Sequence, residues 1–204
     1  AGVRVEHGCT VDAALVRAEA PEIVILATGA RPSPLDLSGG TEGAHVVDAW
    51  QVLRGQANVG GSVVIADWRC DWVGLGLAEM LARDGRRVRL CVNGYMPGQM
   101  IQLYVRDPWL GILQKLGVEV IPLVRLAGID ADTAYFQHTT SGEPVLCEGV
   151  ETVVTNLARQ ADDELARALG LEGWTGALHV IGDALAPRTA EEAVLDGLKL
   201  AWEL

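Results

Sequence analysis

Ser62-Val-Val-Ile-Ala-Asp-Trp-Arg-Cys-Asp-Trp-Val-Gly-Leu-Gly-Leu-Ala-Glu-Met-Leu-Ala-Arg-Asp-Gly-Arg-Arg-Val-Arg-Leu-Cys-Val-Asn93 is the stretch that decides the fold. Ser62 to Ala66 is a continuous apolar run of the kind found in a strand covered on both faces. Gly74 to Arg83 then places Leu75, Leu77, Ala78, Leu81 and Ala82 on one helical face. Gly85 stands where a helix ends on a left-handed residue, and Arg87 to Val92 is the next strand. A strand, a helix and a second strand in this order predict a parallel pair and an α/β, doubly wound, Rossmann-like architecture.

A dinucleotide site requires G-x-G-x-x-G directly after its first strand. Here Ala66 and Asp67 occupy the place of the first glycine. Gly74 suits the third glycine by its spacing to Leu81, but it lies eight residues beyond Ala66, where the fingerprint spans five. The longer loop carries Trp68, Trp72, Asp67 and Asp71. Acids there oppose a pyrophosphate at the helix N-terminus. The second strand ends Cys91-Val92-Asn93, without an acid for a ribose hydroxyl. NAD(P)H binding is therefore not expected over residues 62–155. Two readings stay open: an ADP or AMP site with Gly74 and Gly76 at the turn and Asn93 as a ribose contact, or a structural domain that holds nothing.

Outward from this unit the pattern continues. Before it, Val3 to Glu6 reads as a strand, Val11 to Glu19 as a helix capped by Thr10, and Glu22 to Leu26 as a buried parallel strand. Pro32, Pro34 and Gly39-Gly40 mark a loop, and Asp48 to Leu53 a short helix before the Gly60-Gly61 turn. After it, Met100 to Leu116 reads as a helix that Pro108 should kink or divide, and Val118 to Ile121 as a strand. Leu123 to Ile129, Thr133 to Gln137 and Pro144 to Cys147 alternate in short pieces, the pattern of an antiparallel β-meander. Thr152 to Thr155 and His179 to Ile181 are further strands; Asp162 to Leu169 and Thr189 to Glu203 are helices. Thr189 and Glu192 have the spacing of a capping box.

Two short segments carry candidate chemistry. In Ala27-Thr28-Gly29 a glycine follows a buried strand, which serves either a tight turn or a close ligand approach. In Gly182-Asp183 the carboxylate either accepts hydrogen bonds from sugar or ribitol hydroxyls or caps the next helix. His7, His45, His138 and His179 are scattered and form no triad. Trp68, Trp72, Trp109 and Trp174 could stack on an adenine, but packing is the simpler use of large aromatics. No catalytic or metal-ligating residue is assigned.

The chain has 204 residues, 50% apolar and 21% charged, with a net charge of −11. With no basic cluster to offset that charge, neither nucleic acid nor an anionic membrane surface is an expected partner. No apolar run reaches the ~18–20 residues that span a bilayer. Cys9, Cys70, Cys91 and Cys147 form no C-x-x-C pair, the spacing a zinc or iron–sulfur site within this chain would use. Free thiols in a reducing cytoplasm are expected. Opening on Ala1-Gly-Val-Arg-Val-Glu, the chain reads as a fragment of a larger polypeptide.

Ala27-Thr28-Gly29, Leu77-Ala-Glu-Met-Leu-Ala82 and Ile181-Gly-Asp-Ala-Leu-Ala-Pro-Arg-Thr-Ala-Glu-Glu-Ala193 carry a resemblance that covers essentially the whole chain. It resembles the C-terminal portion of the multidomain flavin oxidoreductases related to Old Yellow Enzyme. These include 2,4-dienoyl-CoA reductase, trimethylamine, dimethylamine and histamine dehydrogenases, and N-methylproline demethylase-like proteins. The resemblance implies an FAD/NAD(P)-binding, disulfide-reductase-like domain inserted in a partial second FAD-type domain. Residues 1–45 and 161–204 would be the two segments of the FAD/ADP-type domain, and residues 46–160 the inserted NAD(P)-like domain. It implies FAD or ADP in this region, with Gly29 at the adenosine or flavin linker and Gly182-Asp183 at the ribitol or pyrophosphate. FMN and a 4Fe-4S cluster would belong to an N-terminal barrel outside this chain. The partners implied are the rest of the parent polypeptide and an electron-transfer protein. The parent reaction implied is oxidation of an N-methylated amine, with the fragment itself inactive. Thr155-Asn156-Leu157-Ala158-Arg159 departs from the second Ala-Thr-Gly run of many relatives. The incomplete FAD-type domain should expose a sheet edge and an apolar patch, leading to a homodimer or to disorder in residues 1–45.

Overall fold

The computed structural model describes residues 2–37, 41 and 43–204. The expected Gly39-Gly40 loop lies outside the described residues. The chain forms two compact units: Ala1–Arg31 with Arg159–Leu204, and Pro32–Ala158.

The first unit begins with α1 (Ala13–Glu19), β1 (Ile23–Leu26) and β2 (Ala30–Pro32), the last of which runs into the second unit. Asp12 caps α1 by accepting from the Leu15 amide, so the cap is Asp12 rather than Thr10. The strand expected at Val3 to Glu6 does not form. Those residues are exposed and pair with no other strand, and an extended segment without a ladder partner gains nothing from being a strand.

The second unit holds β3 (Val46–Asp48), α2 (Ala49–Leu53), β4 (Ser62–Asp67), α3 (Trp72–Arg83), β5 (Arg87–Val92), α4 (Leu103–Lys115), β6 (Glu119–Ile121), β7 (Val124–Ile129), β8 (Thr133–His138), β9 (Pro144–Glu148) and β10 (Thr152–Asn156). Five strands pair in parallel in the order β3-β10-β4-β5-β6. β7, β8 and β9 form the expected antiparallel meander. The pleat sends alternate residues to opposite faces. Val63, Ile65, Val88, Leu90 and Val92 pack with Leu75, Leu77, Ala78 and Leu81 of α3. Val64, Ala66, Cys91 and Val153 pack with Val124, Phe136 and Cys147 of the meander. Pro108 does not divide α4, which runs unbroken from Leu103 to Lys115.

The chain returns to the first unit with β11 (Arg159–Ala161), α5 (Glu164–Leu171), β12 (Ala177–Val180), a 3-10 turn at Gly182–Ala184, and α6 (Ala190–Glu203). β1 and β12 pair in parallel, and β2 pairs with β11. Val24 and Leu26 are buried with Ala13, Val16 and Leu169. Ile23 and Ile25, on the other face of β1, are 41% and 46% exposed. On α6, Val194, Leu198 and Trp202 recur every fourth residue and are also exposed. The mixed α/β fold expected from the sequence is present, including the parallel sheet and the antiparallel meander.

Leu77 is fully buried between α3 and the sheet. Leu77→Ala should cost the second unit about 2–5 kcal/mol in urea unfolding, the range for a buried leucine truncated to alanine.

Candidate functional site

The parallel strands of the second unit end at Asp67, Val92 and Asn156, the edge at which open α/β sheets bind ligands. Asp67 turns back into this edge and is only 2% exposed. Its Oδ1 accepts hydrogen bonds from the amides of Arg69 (3.1 Å) and Cys70 (3.0 Å) and from Asn156 Nδ2 (2.8 Å). Its Oδ2 has no partner. A Cβ added to Gly74 would lie 2.1 Å from that oxygen. The first turn of α3 thus rests on the carboxylate, and only glycine allows it. Burial raises the Asp67 pKa to about 6; the hydrogen bonds from Asn156 and the loop amides oppose the rise, and Asp71 adds to it.

The helix N-terminus is taken as well. Asp71 caps α3, accepting from the Val73 amide (3.0 Å) and from Arg69 Nε (2.6 Å). Asn93 Oδ1 accepts from the Cys70 thiol (3.2 Å). Gly76 sits inside α3, where an added Cβ would meet the Trp109 ring of α4 at 3.9 Å, an ordinary contact distance. Of the three candidates here, Gly74 and Asn93 meet around Asp67 and Cys70, while Gly76 does not. Asn156 was not foreseen: it lies 89 residues from Asp67 in sequence, and nothing local signals the pairing. Beside Trp68 is an open cavity of about 600 Å³ lined by Leu35, Leu37, Trp68, Arg125, Leu126 and Leu157 among others.

In the first unit, Ala27-Thr28-Gly29 follows β1 directly. Gly29 has φ +83°, and nothing lies within 4 Å of where its Cβ would be. Its carbonyl accepts from the Asp162 amide (2.9 Å), and the Thr28 hydroxyl donates to the Asp162 carbonyl. Gly182 has φ +61° and donates its amide to Asp196 Oδ2 (3.1 Å). Asp183 does not cap α6; Thr189 and Glu192 do so with the expected box. Instead Asp183 Oδ1 accepts from the Arg188 amide and Oδ2 from Arg159 Nη1, both at 2.9 Å. Arg159 also donates to the Arg188 carbonyl (2.8 Å), and the Arg188 guanidinium pairs with Asp196. The two segments are thus each built around a glycine in the left-handed region.

No family model matches the sequence. The chain is 29% identical over 232 residues to a probable N-methylproline demethylase of Rhizobium meliloti, covering 100% of this chain and 34% of that protein. It is 27% identical over 218 residues to an NADH oxidase of Thermoanaerobacter brockii, covering 100% of this chain and 31% of the other. Histamine dehydrogenase from Rhizobium sp. 4-9 superposes with a TM-score of 0.87 at 21% identity, over 96% of this chain and 32% of that one. The chain spans about a third of the length of these curated relatives. The fold is that of the FAD/NAD(P)-binding flavoprotein reductases. The resemblance to the C-terminal region of the multidomain flavin oxidoreductases, with N-methylproline demethylase and histamine dehydrogenase among its named relatives, holds on both sequence and structure. Among the described residues no helix is long and apolar enough to cross a membrane, and no group of three or more His, Cys, Asp or Glu could hold a metal.

Two outcomes follow from the Asp67–Gly74 contact. Gly74→Ala should destabilise the second unit by about 1–3 kcal/mol, the usual cost of overpacking. When it is combined with Asp67→Gly, which removes both the clash and the three hydrogen bonds to Oδ1, the two losses should be less than additive in a double-mutant cycle read by urea unfolding. The folded pKa of Asp67, about 6, stands above its ordinary 3.8. Its contribution to stability is therefore fully present below about pH 4 and lost as pH rises through 6. Asp67→Asn keeps an acceptor oxygen without the charge, so it should flatten this slope and gain up to about 3 kcal/mol at neutral pH.

Proposed function

We propose that this chain is the nucleotide-fold portion of a flavin-dependent oxidoreductase whose parent reaction is the oxidative demethylation of an N-methylated amine. The match of the whole chain to a probable N-methylproline demethylase supports this reading. In it, residues 1–45 and 161–204 are the FAD/ADP-type domain, and residues 46–160 the inserted domain. The catalytic barrel, with FMN and a 4Fe-4S cluster, belongs to the remainder of the parent polypeptide.

The observation that carries the division of labour within the chain is the buried Asp67 carboxylate pressed against Gly74. A pyrophosphate at this turn would need the space above Gly74 and the free amides of α3. Asp67 fills the first and Asp71 caps the second. The residues of the second unit do not fit NAD(P)H, and we assign that unit a structural role. The first unit fits a flavin nucleotide better. Gly29 leaves open space at its Cα, and each Asp183 oxygen holds one protein donor, which leaves a lone pair for a hydroxyl. Ala27-Thr28-Gly29 and Gly182-Asp183 would hold FAD or ADP there. A bound flavin supplies the hydride and electron chemistry; the protein supplies binding and orientation.

Calorimetric titration of the chain should show ADP binding no worse than NADH or NADPH. Micromolar NADH binding tighter than ADP would overturn the reading of the second unit. Mixed with FAD, NADH and an artificial acceptor, the chain should oxidise NADH no faster than free flavin does. Steady turnover well above that level would refute the assignment of the chemistry to the rest of the parent polypeptide.

A further inference from the structure

The open cavity of about 600 Å³ beside Trp68 is lined entirely by residues of the second unit. Its volume falls in the range of roughly 300–1,000 Å³ typical of small-molecule sites. None of Asp67, Asp71 and Gly74 lines it, so the carboxylates at the first turn of α3 do not fill it.

Three walls enclose the cavity. Leu35 and Leu37, on the segment that enters the second unit, pack over the core of the meander. Trp68, after β4, donates its amide to the Asn156 carbonyl (3.0 Å), which sets it beside Leu157. The third wall is β7. Alternate residues of a regular strand face one side. Arg125, Leu126 and Ala127 nevertheless all line the cavity, at a β-bulge between Leu126 and Gly128. Bulges of this kind re-aim side chains beside binding sites.

The leucines make the lining largely apolar, and the Trp68 ring, 50% exposed, adds a wide flat surface. Arg125 is the one cation of the lining among the described residues. It donates to Gln137 Oε1 (2.9 Å) and forms no ion pair with any described carboxylate. Its guanidinium therefore keeps N–H donors for an anion, in a chain whose net charge is −11. Asp36 also lines the cavity; it is exposed, so water and salt screen its charge. A hollow walled by leucines, one aromatic ring and one unpaired guanidinium matches a planar apolar body that carries one negative charge.

We propose that this cavity binds a planar aromatic carboxylate, with its ring against Trp68 and the leucines and its carboxylate on Arg125. The flat fork of a guanidinium suits the two oxygens of a carboxylate. Stacking on an indole adds attraction beyond the apolar area buried. The site does not depend on the flavin reading of the first unit, and the failure of either leaves the other standing.

The probe is 2-naphthoate, titrated into the full chain by calorimetry. One saturable site of sub-millimolar affinity is expected. Neutral 2-naphthamide should bind about tenfold more weakly or worse, because it lacks the charge that strengthens the bond to Arg125. Arg125→Gln should weaken 2-naphthoate to the level of the amide, and Arg125→Lys should recover part of the loss. Trp68→Ala should weaken both ligands, and Trp68→Phe, which keeps a ring, should restore most of the affinity. Both positions are exposed, so the variants should fold, which urea unfolding checks. The proposal is overturned if 2-naphthoate shows no saturable binding below millimolar concentration, or if its affinity is the same in Arg125→Gln and Trp68→Ala. Equal or tighter binding of the amide, or of cationic 2-naphthylmethylamine, would overturn it as well. The comparison of the three ligands on the unaltered chain decides the matter even where a variant fails to fold.

Discussion

One buried carboxylate organises the edge of the second unit at which the strands of its parallel sheet end. Asp67 ends β4, ties that strand to β10 through Asn156, and folds the 68–70 loop around itself through two backbone amides. A charged group so far from water is tolerated because three donors converge on one of its oxygens. The other oxygen stays unsatisfied and sits against the first turn of α3. The length of the loop, the glycine at position 74 and the position of α3 all depend on this contact. A nucleotide fold normally keeps this place bare so that backbone and helix dipole can face a phosphate. Here the protein supplies its own anion, and Asp71 repeats the arrangement at the helix terminus.

The first unit treats its glycines differently. Gly29 and Gly182 both adopt left-handed conformations that a side chain resists, yet neither is filled from below by a carboxylate. Gly182 faces Ala193 of α6, whose Cβ would lie 3.4 Å from an added Cβ, whereas Gly29 opens on empty space. Asp183 is paired with Arg159 and Asp196 with Arg188, which fixes Asp183 in one orientation. Such pairs contribute little stability where solvent reaches them. Their effect is orientation, since a carboxylate gripped by a guanidinium and an amide is held in one position.

The pleat of the parallel sheet separates two kinds of chemistry. One face packs Val63, Ile65, Val88, Leu90 and Val92 against the helices and ends in the polar pair Asp67–Asn156. The other, against the meander, carries Cys91 and Cys147 in contact and leaves Arg89 Nε without a partner at its margin. A single step of register along β5 would exchange these faces and bring the cysteines among the helices, because the side-chain period of a strand is two.

Much of this was legible in the residues themselves. The apolar run at Ser62 to Ala66, the helical face from Leu75 to Ala82 and the short alternating strands after Leu123 each carry their own period, and period is a local property of burial on one or two faces. The Thr189–Glu192 box and the glycine at 85 were readable for the same reason: a cap is satisfied within four residues. The acids of the 67–71 loop were visible in the sequence, and the structure places Asp67 and Asp71 at the first turn of α3. The strand expected at Val3 to Glu6 failed because a strand exists only by virtue of a partner, and composition cannot supply one. The same limit hid the union of Asp67 with Asn156, the capture of Asp183 by Arg159, and the meeting of Cys91 with Cys147. Each joins residues 24 to 89 positions apart. Which side chains come together over such distances is set by strand order and register, and only the folded chain decides those.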